Sequence, residues 1–226
     1  MRIHNLVLIV GLFMIRSSAQ QPNTQQPIPV DQEPHHKVVL KNDYVEVMHV
    51  TLAVDERTLY HTHMHDRAAV ELSNTSISQQ KVGDPEDAPA ATKPGDVSIG
   101  TARAGEYSHR VHNLGPEIFN VVDVEFLQRP DQPSVATAGP VAGENPSARA
   151  YRWELAPGAK TPEHTHKRPY LIVAATPMQL KMTAPDGQSR AESVKAGDFH
   201  WVDAQVTHTL SNEGATAGTI VELELK

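Results

Sequence analysis

A chain of 226 residues with 39% hydrophobic content is long enough for one large or two small packed cores. Its formal charge of −7, from 20 basic and 27 acidic residues, gives no electrostatic support for binding phosphate backbones or anionic lipid, so nucleic acid is excluded as an expected partner. Thirteen histidines stand against four Phe, five Tyr and two Trp, more imidazoles than so small an aromatic core needs, and they direct attention to metal or acid–base chemistry.

Residues 1–19 read as an export signal. Arg2 gives a positive start, Leu6 to Ile15 is an apolar run too short to span a bilayer, and Ser17-Ser18-Ala19 offers the small residues that a signal peptidase accepts. A secreted or periplasmic bacterial protein, with no stable membrane anchor after cleavage, is the expectation. There is no cysteine for a disulfide or a lipid anchor. Residues 20–36 are rich in Gln and Pro and read as a flexible linker. A second linker is expected over 130–147, where Pro130, Pro133, Gly139, Pro140, Gly143 and Pro146 interrupt helix and strand alike. Folded units then fall at 37–129 and 148–226.

Strand alternation marks both units, in Tyr44 to Val50, in Tyr151 to Leu155 and in Thr219 to Leu225, and no long amphipathic helix is evident. An all-β unit of this size must cover its strand edges, which a small barrel or jelly roll does. The units also share landmarks in the same order. Ser108-His109-Arg110-Val111-His112-Asn113-Leu114-Gly115, ending in Val122-Asp123-Val124-Glu125-Phe126, matches Thr207-His208-Thr209-Leu210-Ser211-Asn212-Glu213-Gly214, ending in Val221-Glu222-Leu223-Glu224-Leu225, without a gap. Upstream of these lie His61-Thr62-His63 and His164-Thr165-His166, with Gly95-Asp96 and Gly197-Asp198 in between. Internal duplication accounts for such a pattern.

On a strand, residues two apart share a face, so His164 and His166 present two imidazoles side by side. His208, on a distant strand that a barrel brings opposite, would complete a three-histidine metal site with open positions. The first unit offers His61, His63 and His65, with His109 as the distant partner. Matching Leu52 with Leu155 and Thr58 with Thr161 equates His61 and His63 with the second-unit pair; matching Arg67 with Arg168 equates His63 and His65 instead. The first register needs no gap and is preferred, with His65 kept as an additional candidate ligand. Arg67 and Arg168 follow the clamps at positions that can continue the inward face, where a guanidinium would hold a carboxylate substrate.

These residues resemble the cupin superfamily. Gly158, five residues, then His164-Thr165-His166 is similar to its first motif, and Gly197, five residues, Asp203-Ala204-Gln205, two residues, His208, three residues, Asn212 to its second. Departures are Asp203 and Gln205 for the usual Pro and Gly, Asp55 for the glycine of the first unit, and three extra residues between Gly95 and His109. The glutamate that commonly follows the two histidines is missing, since Tyr170 and Leu171 stand at that distance from His166, and Glu71 is misplaced by one in the first unit. The resemblance implies two tandem cupin-type jelly-roll β-barrels, packed as an intramolecular pair or as a homodimer. It implies a divalent metal, Fe(II) first, with Zn, Ni, Mn or Cu as the others that such a site takes. A site of histidines without glutamate resembles most the branch that oxidises thiols and diketones, so an Fe(II) dioxygenase-like oxidoreductase acting on a small organic substrate is one expectation. A non-catalytic periplasmic cupin that binds a metal or small ligand is the other.

Overall fold

The computed structural model describes residues 25–102, 107–128, 139–203 and 205–226. The expected export signal over 1–19 lies outside them. The first barrel comprises β1 (Ile28–Pro29), a 3-10 turn (Val30–Gln32), β2 (His36–Lys41), β3 (Val45–Leu52), β4 (His61–His63), β5 (Asp66–Glu71), β6 (Thr75–Lys81), β7 (Ala90–Thr92), β8 (Val97–Gly100), β9 (Tyr107–Asn113) and β10 (Phe119–Phe126). The second comprises β11 (Val141–Glu144), β12 (Ala148–Leu155), β13 (His164–His166), β14 (Tyr170–Ala174), β15 (Met178–Thr183), β16 (Ser189–Val194), β17 (Phe199–Val202), β18 (Val206–Asn212) and β19 (Gly218–Leu225). Among the described residues no helix is long and apolar enough to cross a membrane.

The duplication is visible in the strand orders. In barrel 1 the sheets run β2-β3-β10-β5-β8 and β1-β4-β9-β6-β7; in barrel 2 they run β11-β12-β19-β14-β17 and β13-β18-β15-β16. Apart from β1, each strand has its counterpart in the other barrel. The shared His-x3-Asn-x-Gly pattern has a structural reason. Asn113 and Asn212 are wholly buried, and each donates through Nδ2 to the carbonyl ending β3 or β12, at 3.0 Å to Leu52 and 2.9 Å to Leu155. Each also accepts at Oδ1 from the amide of the following glycine, Gly115 or Gly214. The Asn thus closes the turn while the His, four positions earlier on the same face, reaches the interior. Asp55 adopts φ 64°, as Gly158 adopts φ 73°, and Asp is among the few side chains that tolerate this left-handed turn.

Both linkers end sooner than expected. Ile28 pairs with His61 in the edge strand β4, and Val30, Glu33 and His36 are buried, so the described part of 20–36 belongs to barrel 1. The backbone bond from Ile28 N–H to Tyr60 carbonyl, 3.0 Å, secures it. Likewise β11, within 130–147, pairs with β12. Asn145 and Ser147 are buried: Asn145 donates to the Arg67 and Gly100 carbonyls, and Ser147 donates to Asp66 at 2.8 Å. Polar composition concealed these segments because they add little apolar surface and fix themselves through hydrogen bonds.

The β2-β3-β10-β5-β8 sheet of barrel 1 and the β11-β12-β19-β14-β17 sheet of barrel 2 pack face to face. Val122, Val124 and Phe126 of β10 join Val221, Leu223 and Leu225 of β19 in one hydrophobic cluster with residues of β3, β5, β12 and β14. Each barrel has a second, internal cluster, around Leu52 and Val121 in one and around Tyr151 and Ile220 in the other. Since the first cluster belongs to both units, they should melt as one. Phe126→Ala in barrel 1 should cost about 3–5 kcal/mol, and it should shift the unfolding followed by Trp153 and Trp201, which both lie in barrel 2, in step with that followed by circular dichroism. A tryptophan transition left in place by Phe126→Ala would show that the barrels unfold independently.

Candidate metal centres

Sheet pairing sets the clusters. His164 is the cross-strand partner of His208, and His61 that of His109. This settles the register: His61 and His63 correspond to His164 and His166. β4 ends at His63, Met64 and His65 lie in the turn before β5, and His65 is not in the buried cluster. The same alignment places Arg67 opposite Glu125 and Tyr170 opposite Glu224, so Arg67 corresponds to Tyr170 and not to Arg168. Arg67 does point inward, 3.8 Å from Asp123 Oδ1. Arg168 is half-buried in the turn before β14 and does not line the cavity of barrel 2.

In barrel 2 the expected trio gains a fourth member, Glu222 of β19, and all four are buried. Glu222 Oε1 stands 3.2 Å from both His166 Nε2 and His208 Nε2; His164 Nε2 is 2.9 Å from His208 Nε2 and 3.2 Å from Glu222 Oε2. Two donors on one ion at about 2.0–2.1 Å are roughly 2.9–3.4 Å apart for right-angled to tetrahedral coordination, so the spacing fits a shared ion. These four groups face one another as donors aimed at a common point do. Some of their other atoms are held from outside. His164 donates through Nδ1 to the Pro162 carbonyl at 2.9 Å, and Trp153 donates from Nε1 to Glu222 Oε2 at 2.7 Å. Tyr170 stacks on His166 with ring centroids 4.0 Å apart. Such outer contacts fix the orientation of ligands.

The missing glutamate of the first motif is therefore replaced from a different strand, and the all-histidine expectation for barrel 2 is corrected. Glu222, Trp153 and Tyr170 were not singled out in the sequence. The available signal was an acid at alternate positions of an otherwise apolar strand in both repeats, Asp123 and Glu125 matching Glu222 and Glu224.

Barrel 1 gathers His61, His63 and His109, all buried. Their Nδ1 atoms face oxygens outside the cluster: the Leu59 carbonyl at 3.0 Å, Glu125 Oε1 at 3.0 Å and Gln79 Oε1 at 3.1 Å. Nε2 of His63 and His109 are 3.2 Å apart, and Nε2 of His61 is buried without a partner. Asp123, the counterpart of Glu222, is one methylene shorter and remains 4.0 Å from His63. Its Oδ1, though beside Arg67, and Glu71 Oε2 are buried without a hydrogen-bond partner, and the three imidazoles form a donor set that also fits a cation.

The two interiors differ in charge. In barrel 2, burial opposes a charged His166, but Glu222 and Glu224 prevail and raise it to about 9. Burial likewise opposes ionisation of Glu222, yet the three histidines hold it well below the usual carboxylate range. In barrel 1, burial pushes His61 down to about 3, helped by His36, and keeps His63 and His109 neutral, with Arg67 contributing to both. Burial and the charge of Asp123 push Glu71 and Glu125 up to about 8. The volumes differ as well. A cavity of about 220 Å³ in barrel 2 is walled by Ile172, Ala174, Leu180, Val194 and Ile220, with Arg190, Glu192 and His200 also lining it. Ile172 in its wall is the cross-strand partner of Glu222, while the four donor residues themselves lie outside its lining. At the barrel 1 cluster a space of about 40 Å³ is lined by His36, His61, His109, Arg67, Glu71 and Asp123 among others, and a second, more open one of about 300 Å³ by His63, His65, Arg67, Lys81 and Tyr107 among others.

No protein-family model matches the chain. The β-alanine degradation protein BauB of Pseudomonas aeruginosa is 34% identical over 83 residues, which span 37% of this chain and 86% of BauB. The fold is similar to that of a cupin 2 conserved barrel domain protein from Leptotrichia buccalis (TM-score 0.50, 13% identity, 84% of this chain and 88% of that one). It is also similar to salicylate 1,2-dioxygenase from Pseudaminobacter salicylatoxidans (TM-score 0.53, 12% identity, 80% and 70%). The paired jelly-roll sheets and these likenesses show that the chain has the cupin fold, with two barrels in tandem.

Proposed function

We propose that barrel 2 holds a divalent metal, Fe(II) in first place, through Nε2 of His164, His166 and His208 and a carboxylate oxygen of Glu222, and that the protein oxidises a small organic substrate there in a dioxygenase-like reaction. One observation carries this reading: four buried donor atoms converge within a barrel that also holds a largely apolar cavity of about 220 Å³, walled by Ile172, the cross-strand partner of Glu222. An ion bound there would supply open coordination positions for oxygen and substrate. The chain's own residues do the rest. Ile172, Leu180, Val194 and Ile220 exclude water and hold an apolar substrate body, while Trp153 and Tyr170 keep Glu222 and His166 in place. Salicylate 1,2-dioxygenase is a named dioxygenase on this fold, and BauB is named for the breakdown of a small molecule; both are compatible with the reading.

Barrel 1 favours a second reading for its own site. The space at His36, His61 and His109 is about 40 Å³ and is lined by the charged Arg67, Glu71 and Asp123, so we infer that barrel 1 retains an ion in a charged setting and not beside an apolar chamber. Export of the protein to the periplasm is part of the same proposal and rests on the character of residues 1–19.

The activity is tested by loading the full chain with Fe(II) under anaerobic conditions and recording oxygen uptake with small thiols, diketones and phenols. Uptake is expected with at least one class, and Leu180→Trp, which fills the cavity, should retain metal while losing uptake by about tenfold or more. Metal held at His164, His166, His208 and Glu222 without uptake on any of these substrates would instead support a binding protein.

Metal binding at barrel 2 should also release a proton. His166 is charged at neutral pH in the metal-free chain, with its folded value raised from 6.5 to about 9, and a ligand must be neutral. Affinity should therefore rise with pH, by up to about tenfold per unit between 7 and 9, and then level. The sign for stability is opposite: the contribution of charged His166 to the metal-free fold is complete below about 6.5 and is lost as pH rises through about 9. Calorimetric titration in buffers of different ionisation enthalpy measures the proton count. A value of zero at pH 7 would contradict the assignment of His166 as a ligand.

A further inference from the structure

A fourth imidazole stands at the barrel 1 cluster, carried by the first residue of β2, which pairs with β3. His36 is buried, its ring lies 4.5 Å from that of His61 and 6.3 Å from that of His63, and it lines the same small cavity as His61 and His109. The separation from His61 matches that between His61 and His109, 4.6 Å, but His36 stands outside the donor group that His61, His63 and His109 form, so its ring must turn toward them to share an ion. His36 also shares the feature that marks the other three. Its Nδ1 donates to Glu33 Oε2 at 2.7 Å, which leaves Nε2 as the nitrogen available to the cavity. Glu33 is itself fixed, because its Oε1 accepts from the Leu59 amide at 3.0 Å and from His35 Nδ1 at 2.9 Å.

Comparison of the barrels gives His36 a reason. Barrel 2 has Glu222 among its imidazoles, whereas Asp123 at the same place in barrel 1 is shorter and lies beside Arg67. Barrel 1 thus lacks the fourth donor; Glu33 ends the 3-10 turn that follows β1, the strand without a counterpart among the described residues of barrel 2, and His36 opens β2 opposite Val50. We propose that His36, positioned by Glu33, is the fourth ligand of the barrel 1 site, which makes it a four-imidazole centre for a borderline divalent ion such as Cu(II), Ni(II) or Zn(II). A neutral nitrogen set suits these ions better than Mg or Ca, and Glu33, Glu71, Asp123 and Glu125 around it balance the charge of the ion. The inference rests on the reading of barrel 1 as an ion-holding site.

The test uses the full chain carrying His164→Gln and His208→Gln, which silence barrel 2 while leaving the His166–Glu222 pair. Cu(II) is the probe. Chelator competition gives its Kd, and X-ray absorption with pulsed electron paramagnetic resonance counts the bound imidazoles. Four are expected, falling to three in the added variant His36→Gln, with Cu(II) bound at least about tenfold more weakly. Glu33→Gln should keep four imidazoles but weaken binding, since it loosens only the positioning of His36. Three imidazoles before the His36 change, or a Kd unaltered by it, would overturn the role of His36 alone. Failure to bind Cu(II) at all would overturn the barrel 1 site with it. Far-ultraviolet circular dichroism of each variant confirms that the fold persists.

Discussion

Burial of one strand on both faces governs the molecule. Every residue of β19 is buried, and β10 is nearly so. Such a strand has no solvent side on which to place polar groups, so its alternate positions serve two interiors at once. Val221, Leu223 and Leu225 meet the sister barrel; Ile220, Glu222 and Glu224 meet the inside of their own. A carboxylate in that second row cannot reach water, and burying it without compensation is costly. Three imidazoles and an indole N–H are what the barrel supplies. In the metal-free chain the compensation comes from the proton on His166, and a bound cation would take its place.

The barrels share this frame but differ at a few inward positions that decide their chemistry. Where barrel 2 has Tyr170 and Ala174, the sheet register puts Arg67 and Glu71 in barrel 1. Where barrel 2 has Glu222, barrel 1 has Asp123. The first pair of changes puts charged side chains where barrel 2 has Tyr170 and Ala174, and the second removes a donor from the cluster. Duplication has therefore given one scaffold two interiors, one with a largely apolar chamber and one whose histidines are ringed by charge.

Much of this was legible in the sequence because it depends on spacing. Two histidines separated by one residue on a strand must share a face, and the His-x3-Asn-x-Gly pattern, repeated without a gap, identified both the distant ligand and the turn that follows it. Asp55 standing for glycine was readable as a tolerated left-handed turn. What escaped depends on pairing across the barrel. Glu222 lies 14 residues beyond His208 on another strand, and nothing local distinguishes it from the Glu of an ordinary alternating edge strand facing water. Arg67 and Arg168 looked equivalent along the chain, and only the pairing of β5 with β10 and of β14 with β19 separates them. Residues 25–36 read as a tether because Gln and Pro dominate, yet three buried side chains and a few hydrogen bonds suffice to hold them.

The central claim is that the last strand of barrel 2 completes a metal centre begun by the two histidine motifs. Anomalous diffraction from crystals of the Fe(II)-loaded full chain, recorded at the iron edge, tests it most directly. The account predicts an ion bonded at about 2.0–2.2 Å to Nε2 of His164, His166 and His208 and to a Glu222 oxygen, with the open side toward Ile172 and Ile220. An ion bound elsewhere, or one held by the histidines while Glu222 stays turned to Trp153 alone, would contradict it.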